Sequence, residues 1–524
     1  MRTFLLALAL PGLLPGLGAA QAAPRSDTPR AGTMRLTFEP RIETWDHRFF
    51  NGARERLGAP LTGDTVGGGS AFLPVVARLQ QDVRTASGAT GFVASLGRGL
   101  FSVRHERRTT PITAEFGVTD RLAVGVTLPL VRVFTRAHLA LDTAGASLGL
   151  NPRLADPGSA GAYTLFFADF DAALQQLDAN IAAGSYGCPP SRQCPAQADL
   201  DSARSVRDAL HRLVYGVGTA GAAPFLPRAG SDGGQAVAAN VTRIQQELTA
   251  SYGVAGFTDA FLLPADPVGE AGFATALADP TPGGGFGMRP FEPTPRRLRY
   301  WPGDVELAAQ YRLAGGGSPA GRYAAAVALV VRLPTGHQDS PHDALDLSTG
   351  DHQTDVEVQV VQEAVLAGRL WLNLALRAAR QLEGTRERRV APVTAFLVPR
   401  GATTPLRWNP GDYAAVDVAP LYRFGGAFAA GVTVGYWTRA RDRYRFRAAQ
   451  DSIDLAARLG APTAARVLDA GTAERRLRLG GALTYVGPTV EAGVSVEQTV
   501  SGPSGVLPAG TVFRIVLRTT RRLF

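Results

Sequence analysis

Charged residues in this sequence recur at a spacing of two with an apolar residue between them, as in Asp355-Val356-Glu357 and Arg476-Leu477-Arg478. The same phase takes in Glu306 and Arg312, Glu363, Arg369 and Arg377, Asp417 and Arg423, Glu491 and Glu497, and Arg514. Residues two apart in a β-strand share a face, so each group lines one side of a ribbon. Mixed-sign charges on one surface solvate it, brace it and steer solutes; by themselves they make and break no bonds. No phosphate-binding glycine loop, zinc motif, nucleophile elbow or dinucleotide fingerprint stands out, so neither a cofactor nor a catalytic residue is expected. The enzymatic alternative is a membrane-embedded hydrolase, which needs a serine and a histidine in contact with an orienting polar group. His105 is the only histidine in a predicted strand, and no partner set accompanies it. Residues 335–355 hold His337, His342 and His352 with Asp339 and Asp351, but their spacing fits no metal motif, and a solvated loop is the expectation.

The elements that carry these charges are legible from period-two patterning. In "AEFGVTDRLAVGVTLPL" (114–130), Ala114, Phe116 and Val118, then Leu122, Val124, Val126 and Leu128, alternate with small or polar residues around Thr119-Asp120-Arg121. That is a hairpin. The same beat runs through Met34–Ile42, Val305–Leu313, Tyr323–Leu333, Val356–Val360, Leu370–Leu376, Val416–Val418, Phe428–Tyr436, Leu477–Tyr485, Val490–Val496 and Phe513–Leu517. With a less regular strand over about 99–118, the pattern predicts about twelve strands, most of them long enough to cross a bilayer. Connections alternate between short (119–121, 314–321, 367–368, 425–426, 487–488) and long (137–302, 335–352, 382–411, 441–472), with a modest loop at 500–510. Short turns at one rim and long loops at the other are the mark of a transmembrane barrel. The apolar stripes are free of charge in their centres, with Gln362 the one awkward residue. A soluble sandwich or lipocalin-like barrel would alternate too, but does not account for the loop lengths. The expected fold class is therefore all-β: a transmembrane antiparallel β-barrel of about 12 strands with a large, mainly helical extracellular insert. Phe116, Val124 and Val126 are expected to meet lipid, and Glu115 and Thr127 the lumen.

Residues 1–22 read as a secretory signal peptide, with Arg2, an apolar run from Phe4 to Leu17, and Ala20-Gln21-Ala22 at a cleavage point near Ala22. The predicted division is then 1–22 signal, 23–136 barrel strands 1–3, 137–302 insert, and 303–524 barrel strands 4–12. No later run is long and apolar enough for a membrane helix, and a barrel keeps mean hydropathy as low as the observed +0.01. The formal charge is +9 and every basic residue is arginine. No nucleic-acid motif accompanies that charge, so anionic lipid headgroups or a mixed-charge interior fit it better than nucleic acid. In an oxidising compartment Cys188 and Cys194 are expected to close a local disulfide. Within 137–302, Tyr163–Ile181, Leu200–Leu213 and Val237–Tyr252 show helical spacing: three amphipathic helices forming a cap or a plug.

The 114–130 hairpin, together with "VRLPTG" (331–336) and "STGDHQTDVEV" (348–358), resembles the outer-membrane family labelled MetA-pathway of phenol degradation. Members pair a "YG-x-TDR-x-x-x-G-x-x-x-P" hairpin with an "LPTG…TG-x-x-x-D" hairpin; here Phe116 stands in place of the tyrosine. The likeness covers about a quarter of the chain, all of it barrel. It implies a channel- or transporter-like protein in the outer membrane of a Gram-negative-type envelope, loosely akin to barrels that pass hydrophobic compounds, with outer-membrane lipid and an unidentified small-molecule solute as partners. It brings no catalytic residues. The resulting expectation is diffusion of small molecules, hydrophobic or aromatic ones included; the alternative is a non-conducting receptor or structural barrel.

Overall fold

The computed structural model describes residues 26–522, apart from 157, 292–295, 298–299, 319–320, 425–426 and 488–489. The expected signal peptide, the Gly425-Gly426 turn, Pro488 and Phe524 lie outside the described residues. Twelve antiparallel strands close a barrel. Strand β1 runs over Thr33–Phe38 and Arg41–Trp45, interrupted at Glu39-Pro40, where proline lacks an N–H. The others are β2 Arg98–Gly117, β3 Leu122–Asp142, β4 Glu306–Ser318, β5 Gly321–Arg332 and β6 Asp355–Leu366. They are followed by β7 Leu370–Gln381, β8 Tyr413–Phe424, β9 Phe428–Arg439, β10 Glu474–Val486, β11 Val490–Ser504 and β12 Thr511–Arg522. Each pairs with its neighbour in sequence, and β1 pairs with β12 from Thr33↔Arg522 to Phe38↔Leu517, which closes the ring.

Closure makes the outer face habitable in lipid, because the twelve strands bond to one another and leave no open sheet edge. That face is apolar. Val124, Val126, Leu307, Leu329, Val432, Val434, Leu479 and Leu483 are uncovered by protein, whereas the alternate residues point inward. Toward the short turns the belt ends in an aromatic girdle of Tyr311, Tyr323, Tyr422, Phe424, Phe428 and Tyr485; Phe428 lies 5.2 Å from the Tyr485 ring. Among the described residues no helix is long and apolar enough to cross a membrane. A closed single-chain barrel with such a belt places the protein in an outer membrane.

Strands β2 and β3, at 20 and 21 residues, are about twice the length a bilayer needs. Their patterning reverses halfway, at the facing pair Pro111↔Pro129. On the turn side of that pair Ile112, Val124 and Val126 face out and Thr113, Glu115 and Thr127 face in. On the loop side the outward positions are Arg104, Glu106, Arg108, Arg132 and Arg136, while Phe101, Val103, Val131, Val133 and Ala137 are buried on the inner side. The ribbon has left the lipid there, and its inner face becomes the floor of a domain. For this reason β3 does not end near 136, and the helical insert does not begin at 137. The strand runs on to Asp142 in a phase that the outward-apolar pattern hides.

That domain is helical. The three expected helices are α3 Ser159–Ala182, α4 Pro195–Tyr215 and α5 Asp232–Tyr252, with the Cys188–Cys194 disulfide formed between α3 and α4. Beside them stand the one-turn α2 Pro152–Ala155 and α6 Glu270–Ala278, and α7 Ala449–Leu459 lies in a later loop. Helix α1, Pro74–Ser87, comes from the β1–β2 connection and was not expected. Its Val76, Leu79, Val83 and Ala86 are buried at helical spacing in the cluster that holds Tyr163, Phe166 and Phe170. The same cluster includes Phe101, Val103 and Ala137 of the ribbon, so the bundle is anchored above the lipid belt. The 500–510 connection is also more ordered than expected: β11 continues to Ser504, and Val506–Pro508 pairs with His47–Phe50.

If the exposed stripe faces acyl chains, Leu479→Arg, near the middle of β10, lowers the unfolding free energy in phospholipid bilayers by about 2–4 kcal/mol. Urea unfolding followed by intrinsic fluorescence reads this; an unchanged midpoint counts against the lipid assignment.

Candidate functional site

The inner face of the barrel is organised as tiers of arginine–carboxylate contacts. At the turn-side end, Arg35 forks onto Glu115, with Nε 2.7 Å from Oε2 and Nη2 3.0 Å from Oε1, and also reaches Asp27 at 3.2 Å. Such a planar bidentate pairing is specific to arginine. It draws the chain ahead of β1 into the barrel mouth. Ser26, Thr28 and Pro29 are buried, the Ser26 N–H donates to Glu363 Oε1 at 3.1 Å, and the Thr28 hydroxyl donates to the Asp120 carbonyl at 3.1 Å.

At mid-barrel, Arg377 and Arg478 both donate to Asp417, each at 2.6 Å, and Arg478 continues to Glu497 at 3.1 Å. This chain joins β7, β8, β10 and β11 across β9. It passes over Gly435, where a Cβ would stand 2.6 Å from Asp417 Oδ1 and 2.7 Å from Arg478 Nη2. Glycine is what lets the bridge close over the strand. Glu39 pairs with Arg41 at 2.7 Å and with Arg514 at 3.5 Å. Around these groups lies a cavity of about 310 Å³, bounded mainly by β1 and β7–β12. Toward the long loops, Arg332 gathers Glu306 (3.0 Å), Asp355 (2.9 Å) and Glu357 (3.9 Å), and Tyr413 bridges Arg332 and Glu357. Gln353 and Gln381 donate to Asp355, and Arg439 pairs with Glu474 at 2.8 Å.

The structure thus brings Arg377, Asp417, Arg478 and Glu497 into one network, and Glu306, Asp355 and Glu357 into another. Arg514 meets Glu39, Glu363 meets the N-terminal segment, and Arg476 lies over the Trp437 ring at 5.0 Å. Arg312 and Glu491 are half-buried inner-face residues near the turn-side rim. The backbone of Arg423 joins that rim by donating to the Arg369 carbonyl. Arg369 itself corrects the sequence reading: it is exposed in the β6–β7 turn, and its guanidinium donates to the hydroxyl of the outward Tyr422 at 3.2 Å. Ala367 and Gly368 adopt φ of 50° and 66°, and the strand's alternation does not carry through such a turn. Arg35, Glu39, Arg41, Arg332, Arg439, Tyr413 and Trp437 were not among the candidate residues, although each stands in phase with the inward stripe of its strand.

The glycines and threonines of the 331–336 and 348–358 segments form a clamp where the chain re-enters the barrel at β4. Asp304 accepts from the Gly336 N–H at 2.8 Å and the Asp351 N–H at 2.7 Å, and a Cβ on Gly350 would lie 2.3 Å from its carboxylate. The Thr335 hydroxyl donates to the Gly303 carbonyl at 2.7 Å, and that of Thr349 to the Pro302 carbonyl at 3.1 Å.

The histidines of this loop diverge. The His337 ring stacks on Trp301, His342 meets Arg389, and His352 Nδ1 faces the Gly336 carbonyl. Among the described residues no group of three or more metal-ligating side chains converges. Asp339 is not solvated as expected but is gripped by Arg386 and Arg388. Burial alone would raise its carboxyl, yet the two guanidinium charges outweigh that and hold it well below the usual carboxylate range. His105 is buried against Trp45, with Nδ1 2.9 Å from the Thr135 hydroxyl, which donates to the Leu345 carbonyl at 3.3 Å. A hydroxyl oriented in this way ties the loop to the ribbon and is not activated for attack.

No family model matches the sequence, and neither does any curated protein. Among solved structures, the chain is similar to an outer-membrane channel from Pseudomonas putida F1, with 9% identity, a TM-score of 0.40, and coverage of 96% of this chain and 99% of that one. It is also similar to the toluene transporter TbuX of Ralstonia pickettii, with 9% identity, a TM-score of 0.27, and coverage of 94% and 90%. The monoaromatic hydrocarbon channel CymD shows 11% identity, a TM-score of 0.27, and coverage of 94% and 89%.

Asp417→Asn removes the charge shared by Arg377 and Arg478 and is expected to lower stability by about 1–3 kcal/mol, seen as an earlier urea midpoint; a neutral result would mean water replaces the bridge at no cost. Because the Asp339 carboxyl titrates below its unfolded value of about 3.9, its clamp is fully present above that pH and is lost only as pH falls through the lower folded value. Limited proteolysis of the 335–355 loop should therefore be as slow at pH 4.5 as at pH 7 in the native protein, and fast at both in Asp339→Asn.

Proposed function

We propose that this protein is an outer-membrane channel through which small molecules diffuse, hydrophobic or aromatic ones among them, and that its pore is narrowed from within. The observation that carries this reading is the pairing of a closed, lipid-clad wall with an inner face that is charged and encloses a cavity of about 310 Å³. A barrel of about eight strands is filled by its side chains and one of about 16 leaves an aqueous channel. At twelve, side chains decide, and here long arginines fold back onto carboxylates of the wall. Residues Ser26–Pro29 narrow the turn-side mouth, and the helical bundle rides above the opposite rim as a cap. The likeness of residues 114–130, 331–336 and 348–358 to the family labelled MetA-pathway of phenol degradation supports the same reading.

Planar-bilayer recordings of the purified protein test this. Small, discrete conductance steps are expected, and they should grow when residues 26–31 are removed. No current from the native protein, from that variant or after removal of residues 150–295 would overturn the channel reading in favour of a receptor or structural barrel.

A further inference from the structure

The outward face of the β2–β3 ribbon changes abruptly where it leaves the lipid. Outward residues directly opposite one another are Ile112↔Leu128 in the apolar belt, then Thr110↔Leu130, Arg108↔Arg132, Glu106↔Phe134, Arg104↔Arg136 and Ser102↔His138. Two of these pairs set arginine against arginine. Side chains so placed have Cβ atoms about 4.5–5.5 Å apart, and like charges at that spacing are destabilising. The ribbon packs on the helical bundle through its other face, with Phe101, Val103 and Ala137, so the outward arginines are not needed for that contact.

Negative charge within reach is small and already engaged. Glu106 is gripped by Arg108 at 2.6 Å, and Asp46, which interacts electrostatically with Arg104, is bonded to His47 at 2.7 Å. At the far end of the ribbon Arg98 pairs with Asp64 and stands opposite Asp142. Arg104, Arg132 and Arg136 make no ion pair or hydrogen bond among the described residues. Instead Arg136 lies over the Phe134 ring and Arg132 over the Tyr300 ring, each at 5.8 Å. Arg104, Arg108 and Arg136 are exposed, and Arg132 is half-buried.

The surroundings fix the level of this face. Only the Thr110↔Leu130 pair separates Arg108 and Arg132 from the lipid belt. Beside Val131 stands Trp301, which is exposed together with Tyr300, as aromatics at a membrane–water boundary are. The arginine pairs therefore lie in the headgroup layer, about 13 Å apart along the strand. In an outer leaflet the anions at that depth are glycolipid phosphates, and basic clusters at a membrane surface hold anionic headgroups. Guanidinium groups meet phosphate oxygens in bidentate fashion.

We infer that this face is a binding site for the phosphorylated glycolipid of the outer leaflet. Its phosphates are taken by the Arg108–Arg132 and Arg104–Arg136 pairs, and its acyl chains descend past Ile112 and Leu128. The bound phosphates relieve the repulsion within each pair and tie the ribbon, with the helical bundle it carries, to the membrane surface. The inference rests on the outer-membrane placement and not on whether the lumen conducts.

Native mass spectrometry of the full chain in detergent, with divalent cations chelated, tests it. The probes are bisphosphorylated lipid A, the same lipid after removal of its phosphates, and inorganic phosphate. The native protein is expected to retain bisphosphorylated lipid A at least roughly tenfold more strongly than the dephosphorylated lipid. The double variant Arg104→Gln/Arg136→Gln should lose most of that difference, whereas Arg380→Gln, an exposed arginine that faces Val356 on β6, should keep it. Circular dichroism establishes that each variant is folded, and the comparison of the two lipids needs only the native protein. Equal retention of the two lipids overturns the phosphate site. Displacement of the lipid by inorganic phosphate alone assigns the arginines to a free anion and overturns the lipid assignment. A folded double variant that binds as the native protein does, or an equal loss in Arg380→Gln, also overturns it.

Discussion

Hydrocarbon offers a backbone amide no hydrogen-bond partner, so a strand in lipid must be paired along both sides. The pairing of β1 with β12 across the two ends of the chain meets that demand, and much else in this protein follows from it. It fixes an inside and an outside. It forces period-two patterning along each strand, because one side chain in two meets lipid. It also explains how a broken β1 is tolerated: Glu39-Pro40 keeps its neighbours in register, with Glu39 N–H donating to Pro111 and the Pro40 carbonyl accepting from Ile515.

Closure sets the problem that the lumen solves. Inward residues are enclosed by a low-dielectric wall, where an unpaired charge is expensive and a paired one is strongly held. This chain meets that condition with arginine alone, whose flat guanidinium serves two carboxylates at once, as Arg478 does between Asp417 and Glu497 and Arg332 among Glu306, Asp355 and Glu357. The result is an interior braced across several strands at each level.

The loop side shows the same economy of elements. The β2–β3 ribbon is both membrane wall and foundation, and the inversion at Pro111↔Pro129 marks where solvent replaces lipid on one side and a helical core replaces the lumen on the other. The Asp304 clamp then holds the point where the chain returns from the insert to the wall.

Most of the wall was legible in the sequence: the number of strands, the phase of Val124 and Leu479 and the spacing of helices α3–α5 follow from local periodicity, which is a property of the pleat and the helical turn, and the disulfide from two cysteines six residues apart. Helix α1 carried the same kind of signal in Val76, Leu79 and Val83, in a segment whose helical spacing was not read. Other features were not local. Arg369 and Arg377 share a phase in sequence, yet the positive φ at Ala367 and Gly368 turns one onto the outer rim and leaves the other in the lumen. That Arg478 should meet Asp417 across Gly435, or that Ser26 should reach Glu363, depends on the stagger of strands far apart in the chain. Within the strands, the sequence by itself determined which residues face which way. Only the closed barrel decided which of them meet, because a pleat sets direction while strand register and curvature set distance.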